Sequence, residues 1–232
     1  MFNIPPIAYV FLAGIALAFL IIYLKFVLKL HIDKRSFIRP TYPLDRGLFG
    51  VYCFTGHQGS GKTYALVKYI KRHCKGKVIY SNIHLVGIDY TPIVSLEHLL
   101  SLADQEGVVI VFDEIFSIMS KSKKNAVLLE QFLPQMRKVK NIFLTTAQYW
   151  LELDMTFRRF VRIQIECQSF PLGRLGGILH ESYYNAEKMQ WSNLDNEYVA
   201  PLIQMKISKY EAEIMDTYDT YQRIKTVAKV QK

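Results

Sequence analysis

Residues 49–74 read FGVYCFTGHQGSGKTYALVKYIKRHC, and the fold is decided there. A short apolar run rich in β-formers enters a glycine-rich turn, and a pattern of helical period follows it. The turn carries the spacing G-x-x-x-x-G-K-T, from Gly56 through Gly61 and Lys62 to Thr63. Gly56, Gly59 and Gly61 let the backbone bend tightly and approach a phosphate, whose charge is met by amides at the start of the helix. In such a loop Lys62 reaches the β- and γ-phosphates and the Thr63 hydroxyl ligates Mg²⁺. His57, Gln58, Ser60 and Tyr64 complete the expected nucleotide-binding set, and the expected cofactors are ATP and Mg²⁺.

Downstream, residues 107–116 read GVVIVFDEIF, five β-prone apolar residues that end in adjacent carboxylates. A parallel strand buried on both faces has this composition. Asp113 at its end is placed to hold the water shell of Mg²⁺. Glu114, turned the other way by strand alternation, is placed to polarise an attacking water. Between the two motifs lie a strand candidate, KVIYSNIHLV, and a helix candidate, TPIVSLEHLLSLA, capped by Ser95. A helix over 125–140, a strand NIFLTTAQ ending at Gln148, and a further strand within FRRFVRIQIECQSF follow. Strands alternating with helices predict an α/β fold with a parallel sheet covered on both faces. In the tail, Ile214, Tyr218, Tyr221 and Ile224 share one face of a predicted packing helix.

Upstream, residues 1–24 hold no Asp, Glu, Lys or Arg, and residues 7–24 read IAYVFLAGIALAFLIIYL. Eighteen helical positions reach ~27 Å, close to the hydrocarbon thickness of a bilayer. Lys25, Lys29, Lys34, Arg35 and Arg39 all follow this segment, whereas MFNIPP before it has no basic side chain. The positive-inside rule then predicts one transmembrane helix with the N-terminus outside and the rest cytoplasmic. A cleaved signal peptide would carry a basic n-region and a small-residue cleavage site, and neither is present. Residues 25–39 hold five basic side chains against Asp33, so nearly half of the formal charge of +9 lies beside the anchor. The remainder is mildly basic, which leaves DNA binding unproved by charge. Three scattered cysteines, Cys53, Cys74 and Cys167, form neither a disulfide framework nor a zinc motif. The expected boundaries are 1–30 for the anchor, 31–48 for a basic linker, 49–205 for the ATPase domain and 206–232 for a C-terminal helix and tail.

The phosphate loop, the strand ending in Asp113 and Glu114, and the run MRKVKNIFLTTAQ over 136–148 resemble the FtsK-HerA superfamily of DNA-pumping ATPases. The resemblance covers roughly residues 50 to 165 and is nearest to the viral branch: genome-packaging ATPases of membrane-containing phages and Zot-like assembly proteins of filamentous phages. It implies a P-loop NTPase of the RecA-like, ASCE type. Gln148 matches the polar sensor that contacts the γ-phosphate or the attacking water, and Arg137 matches a basic residue common in the family. Motors of this superfamily complete each site with an arginine from the next subunit, and Arg137, Arg158, Arg159 and Arg162 are the candidates. Zot-like proteins usually carry the membrane span after the ATPase domain and here it comes first, which favours packaging over extrusion. Expected partners are DNA, a host inner or virion internal membrane, and further copies of the chain in a ring, hexameric by resemblance. Lys121, Lys123 and Lys124 are candidate DNA-phosphate contacts. A small-molecule kinase and a non-hydrolysing ATP-binding scaffold are the alternatives. The first lacks an Arg-rich lid, and Glu114 argues against the second.

Overall fold

The structure, a computed structural model, describes residues 6–27, 30–32, 49–119, 123–173, 176–193 and 197–218. Its frame grows from three runs buried along their whole length: β2 (Gly50–Thr55), β5 (Val109–Phe112) and β6 (Ile142–Ala147). Runs without a polar alternation exclude water from both faces, which favours a central parallel position. β6 pairs in parallel with β2 on one side and β5 on the other. Outward from β5 come β3 (Ile79–Ser81) and β4 (Thr91–Pro92), both parallel. Outward from β2 comes β7 (Val161–Pro171), also parallel.

Beyond β7 the sheet changes character. β8 (Gly177–Asn185) and β11 (Leu202–Lys209) extend it in antiparallel fashion, and β1 (Leu30–Ile32) pairs in parallel with β11 at the far edge. Among the described residues the sheet order is β1-β11-β8-β7-β2-β6-β5-β3-β4. A separate antiparallel pair joins β9 (Gln190–Ser192) to β10 (Glu197–Val199).

Strand alternation sends successive side chains to opposite faces, and each face meets its own helices. Tyr52 and Phe54 pack with the buried residues Tyr64, Leu66 and Ile70 of α2 (Lys62–His73). Val51 and Cys53 meet the other layer, α3 (Leu96–Ser101), α5 (Lys123–Lys138) and α6 (Met155–Phe160). In α5 the buried stripe Leu129, Phe132, Leu133 and Met136 has the i, i+3, i+4, i+7 spacing of an amphipathic helix. Ser95 caps α3 as expected, its hydroxyl accepting the His98 N–H at 3.0 Å. A short α4 (Phe116–Met119) follows the acid pair.

The structure bears on three further expectations. The apolar N-terminal segment is α-helical over α1 (Pro6–Ile22), 17 residues, and continues as a π-helical turn, Tyr23–Val27. Because the hydrogen-bond pattern switches after Ile22, no helix among the described residues is long and apolar enough to cross a membrane. The boundary expected between 205 and 206 falls inside β11. The tail helix is confined to α7 (Ala212–Met215), because Thr217 O accepts the Val86 N–H at 2.6 Å and Tyr218 bridges to Leu85. Ile214 is buried as expected, whereas Tyr221 and Ile224 lie outside the described residues. So does most of the expected linker, although His31 and Ile32 belong to β1.

Candidate nucleotide site

The sheet order and register assemble the site. Thr55 is level with Ala147, and Phe112 with Thr145, so β2, β6 and β5 end side by side. At neighbouring-strand spacing of about 5 Å, the phosphate loop and the acid pair face one another across the end of β6.

The loop geometry explains its glycines. A Cβ on Gly56 would lie 2.5 Å from Cys167 O and 2.5 Å from Ser60 Oγ, so a side chain has no space there. Gly61 has φ of 86° and takes the N-cap of α2 without any side-chain cap. An uncapped helix start leaves backbone N–H groups and the positive end of the helix dipole for an anion. The Lys62 ammonium lies across the loop, donating to Gly56 O at 2.6 Å and His57 O at 2.8 Å. Burial lowers its pKa, and the nearby Asp113, Cys167 and Glu114 oppose that shift. The Gly56 N–H donates to Gln148 O at 3.2 Å, which ties the loop to the end of β6. His57 Nδ1 and the Tyr149 hydroxyl are 3.1 Å apart at its rim.

Asp113 is buried at the end of β5. Burial raises its pKa, while hydrogen bonds from Thr146 and Thr63 and the charge of Lys62 hold it down, and Glu114 adds to the rise. Thr146 Oγ1 donates to Asp113 Oδ1 at 2.5 Å and accepts the Glu114 N–H at 2.9 Å. Asn82, following β3, closes the other side: its Oδ1 accepts the Asp113 N–H at 2.8 Å and its Nδ2 donates to Asp113 O at 3.1 Å. Glu114 is exposed and has φ of 56°, an uncommon conformation for a glutamate. Strand ladder, Thr146 and Asn82 together hold that backbone.

Lys62, Thr63, Asp113, Glu114 and Gln148 lie at one end of the sheet, with His57, Gln58 and Ser60 in the loop beside them. The Tyr64 ring does not join them: it is buried in the core on the α2 face and packs against Tyr210. Nor do Arg158, Arg159 and Arg162 join them. Arg137 lies near the end of α5, Arg158 and Arg159 in the last turn of α6, and Arg162 second in β7, where its Nη1 donates to Phe49 O at 2.8 Å. All four precede or open β6 and β7, at the sheet end opposite the phosphate loop. Lys123 and Lys124 start α5, and Lys121 lies outside the described residues.

The residues present fit a magnesium nucleotide. The uncapped start of α2 leaves amides for an anion, and Thr63 and Asp113 supply a hard-oxygen pair, the donor type that Mg²⁺ prefers.

Among the solved structures that resemble this chain are a toxin domain and a viral ATPase. The N-terminal domain of zonular occludens toxin from Neisseria meningitidis has 16% identity and a TM-score of 0.46, covering 73% of this chain and 98% of its own. B204, the DNA-packaging ATPase from Sulfolobus Turreted Icosahedral Virus, has 13% identity and a TM-score of 0.44, covering 69% and 97%. No curated protein sequence matches. Residues 52–169, from the third position of β2 nearly to the end of β7, match the ATPase family associated with various cellular activities (AAA), and the chain belongs to that family.

Proposed function

We propose that this member of the AAA family is a membrane-anchored motor that couples ATP hydrolysis to DNA movement, with viral genome packaging as its task. The observation that carries the reading is the meeting of Lys62, Thr63, Asp113 and Glu114 around the end of the Gln148 strand. Magnesium ATP would supply the electrophilic phosphorus and the leaving group. Lys62 and the loop amides hold the phosphates, Thr63 and Asp113 hold the metal, and Glu114 takes the proton of the attacking water. Gln148 orients that water. The resemblance of residues 50 to 165 to DNA-pumping ATPases supports DNA as the moved substrate.

The apolar α1, whose large side chains are exposed, supports the anchor, and the basic residues after it support an orientation with the ATPase domain inside. A ring of subunits, hexameric by the same resemblance, gives Arg137, Arg158, Arg159 and Arg162 their use. They sit away from their own phosphate loop, which suits donation to a neighbour's site. The test is ATP hydrolysis by the full-length chain in detergent, with and without DNA. Stimulation by DNA that falls as salt rises is expected, because phosphate contacts release counterions. Hydrolysis indifferent to DNA at every salt concentration would overturn the motor reading.

A further inference from the structure

One wall of the phosphate loop has no part in the chemistry above. The chain leaves β11 through Tyr210, whose backbone N–H donates to Gly177 O at 3.1 Å, beside the tip of the β7–β8 hairpin. Its ring lies 4.3 Å, centroid to centroid, from the ring of Tyr64. Its hydroxyl lies so close to Gly61 that a Cβ there would collide with it and with Leu179. Gly177 is crowded in the same way, since its Cβ would sit 3.1 Å from Tyr210 Cδ2.

The next residue holds this ring in place. The Glu211 N–H donates to the Tyr64 hydroxyl at 2.8 Å, and the Glu211 carboxylate pairs with Arg72 of α2 at 2.5 Å. Ser169 adds a hydrogen bond to the Tyr210 side chain. Tyr210 is thus fixed against both the hairpin and the nucleotide-loop helix, yet stays half-buried. The adjoining hairpin tip exposes Phe170 at 50% and Leu172 at 45%. A rigid aromatic ring and an apolar tip at the first turn of an anion-binding helix match a flat, apolar-faced group linked to a phosphate.

The geometry points to a nucleobase seat: the base of a nucleotide whose phosphates occupy the loop packs on Tyr210 against the β7–β8 tip. The assignment rests on the reading of the loop as an ATP site. Stacking holds any base by its π face, so the seat contributes affinity through ring contact.

Calorimetry on the full-length chain tests it with two probes, magnesium ATP and magnesium tripolyphosphate, which lacks a nucleoside. Tyr210→Ala is expected to weaken ATP by roughly 5- to 150-fold, the range that loss of one base–aromatic stack gives. Tripolyphosphate affinity is expected to stay unchanged, and Tyr210→Phe, which keeps the ring, is expected to bind both probes as wild type does. Phe170→Ala, at an exposed position, is expected to lose ATP affinity selectively, and it keeps the test open if Tyr210→Ala does not fold. Equal losses for both probes in Tyr210→Ala would make the residue a structural support of the loop and overturn the seat. Undiminished ATP binding in both alanine variants would overturn it as well. A wild type that binds neither probe would overturn the ATP reading itself, and the seat with it.

Discussion

The Thr146 hydroxyl serves two partners, donating to the Asp113 carboxylate and accepting from the Glu114 amide, so one side chain sets both members of the acid pair. Thr146→Val keeps the shape and removes both bonds. Because Asp113 is buried, its loss of a donor is expected to lower stability by about 1–3 kcal/mol in urea unfolding, with Thr146→Ser recovering most of it. Glu114→Gln is expected to keep nucleotide affinity and to lose turnover by about 10²–10⁴, measured as steady-state hydrolysis beside calorimetry. Lys62→Ala removes the ammonium that lies across the loop, and nucleotide binding or hydrolysis is expected to vanish with it. The loop and the acid pair were legible in the sequence because each is a contiguous motif. Thr146 was not, since a threonine in a buried strand reads as a β-former. Asn82 was hidden because its partner lies on a strand that becomes its neighbour only once the sheet forms.

The helix that starts the phosphate site is bolted to the antiparallel extension by a buried ion pair. Lys68 of α2 pairs with Glu181 of β8 and donates to Ser208 Oγ of β11 at 2.8 Å, while the Tyr183 hydroxyl donates to the second oxygen of Glu181 at 3.3 Å. Lys68→Met leaves the Glu181 charge uncompensated among buried neighbours and is expected to cost about 3–5 kcal/mol in chemical denaturation. Adding Glu181→Leu is expected to recover most of that loss, since an apolar pair of similar volume needs no solvation. The sequence announced the parallel half of the sheet through its unbroken apolar runs. It concealed this element pair, because a lysine on a helix and a glutamate within an alternating strand read as solvated positions. The extent of the tail helix was concealed for a related reason: the backbone at 217 and 218 takes partners after β3 that local periodicity does not register.

At the scale of the whole chain, α1 presents an almost wholly apolar surface that no other described element covers, with Phe11 and Phe19 among its most exposed side chains and Phe26 equally exposed in the π-helical turn after it. The intact protein is expected to sediment with membranes and to remain there in high salt, which screens a basic patch but leaves apolar burial intact. Release by salt alone would count against an anchor. The short strand β1 that follows α1 occupies the outermost place beside β11, where Leu30, His31 and Ile32 align with Met205, Lys206 and Ile207. The opposite margin ends in Pro92, which has no N–H to offer. One margin of the sheet is thus shortened and blunted by a proline, and at the other β11 is partly covered by the segment that a biochemist would trim to make the protein soluble. Cutting ahead of residue 33 would bare a ribbon of unsatisfied amides and carbonyls along β11, and two trimmed molecules could zip together there. An assembly state measured on such a truncated chain would then report a scar left by the scissors.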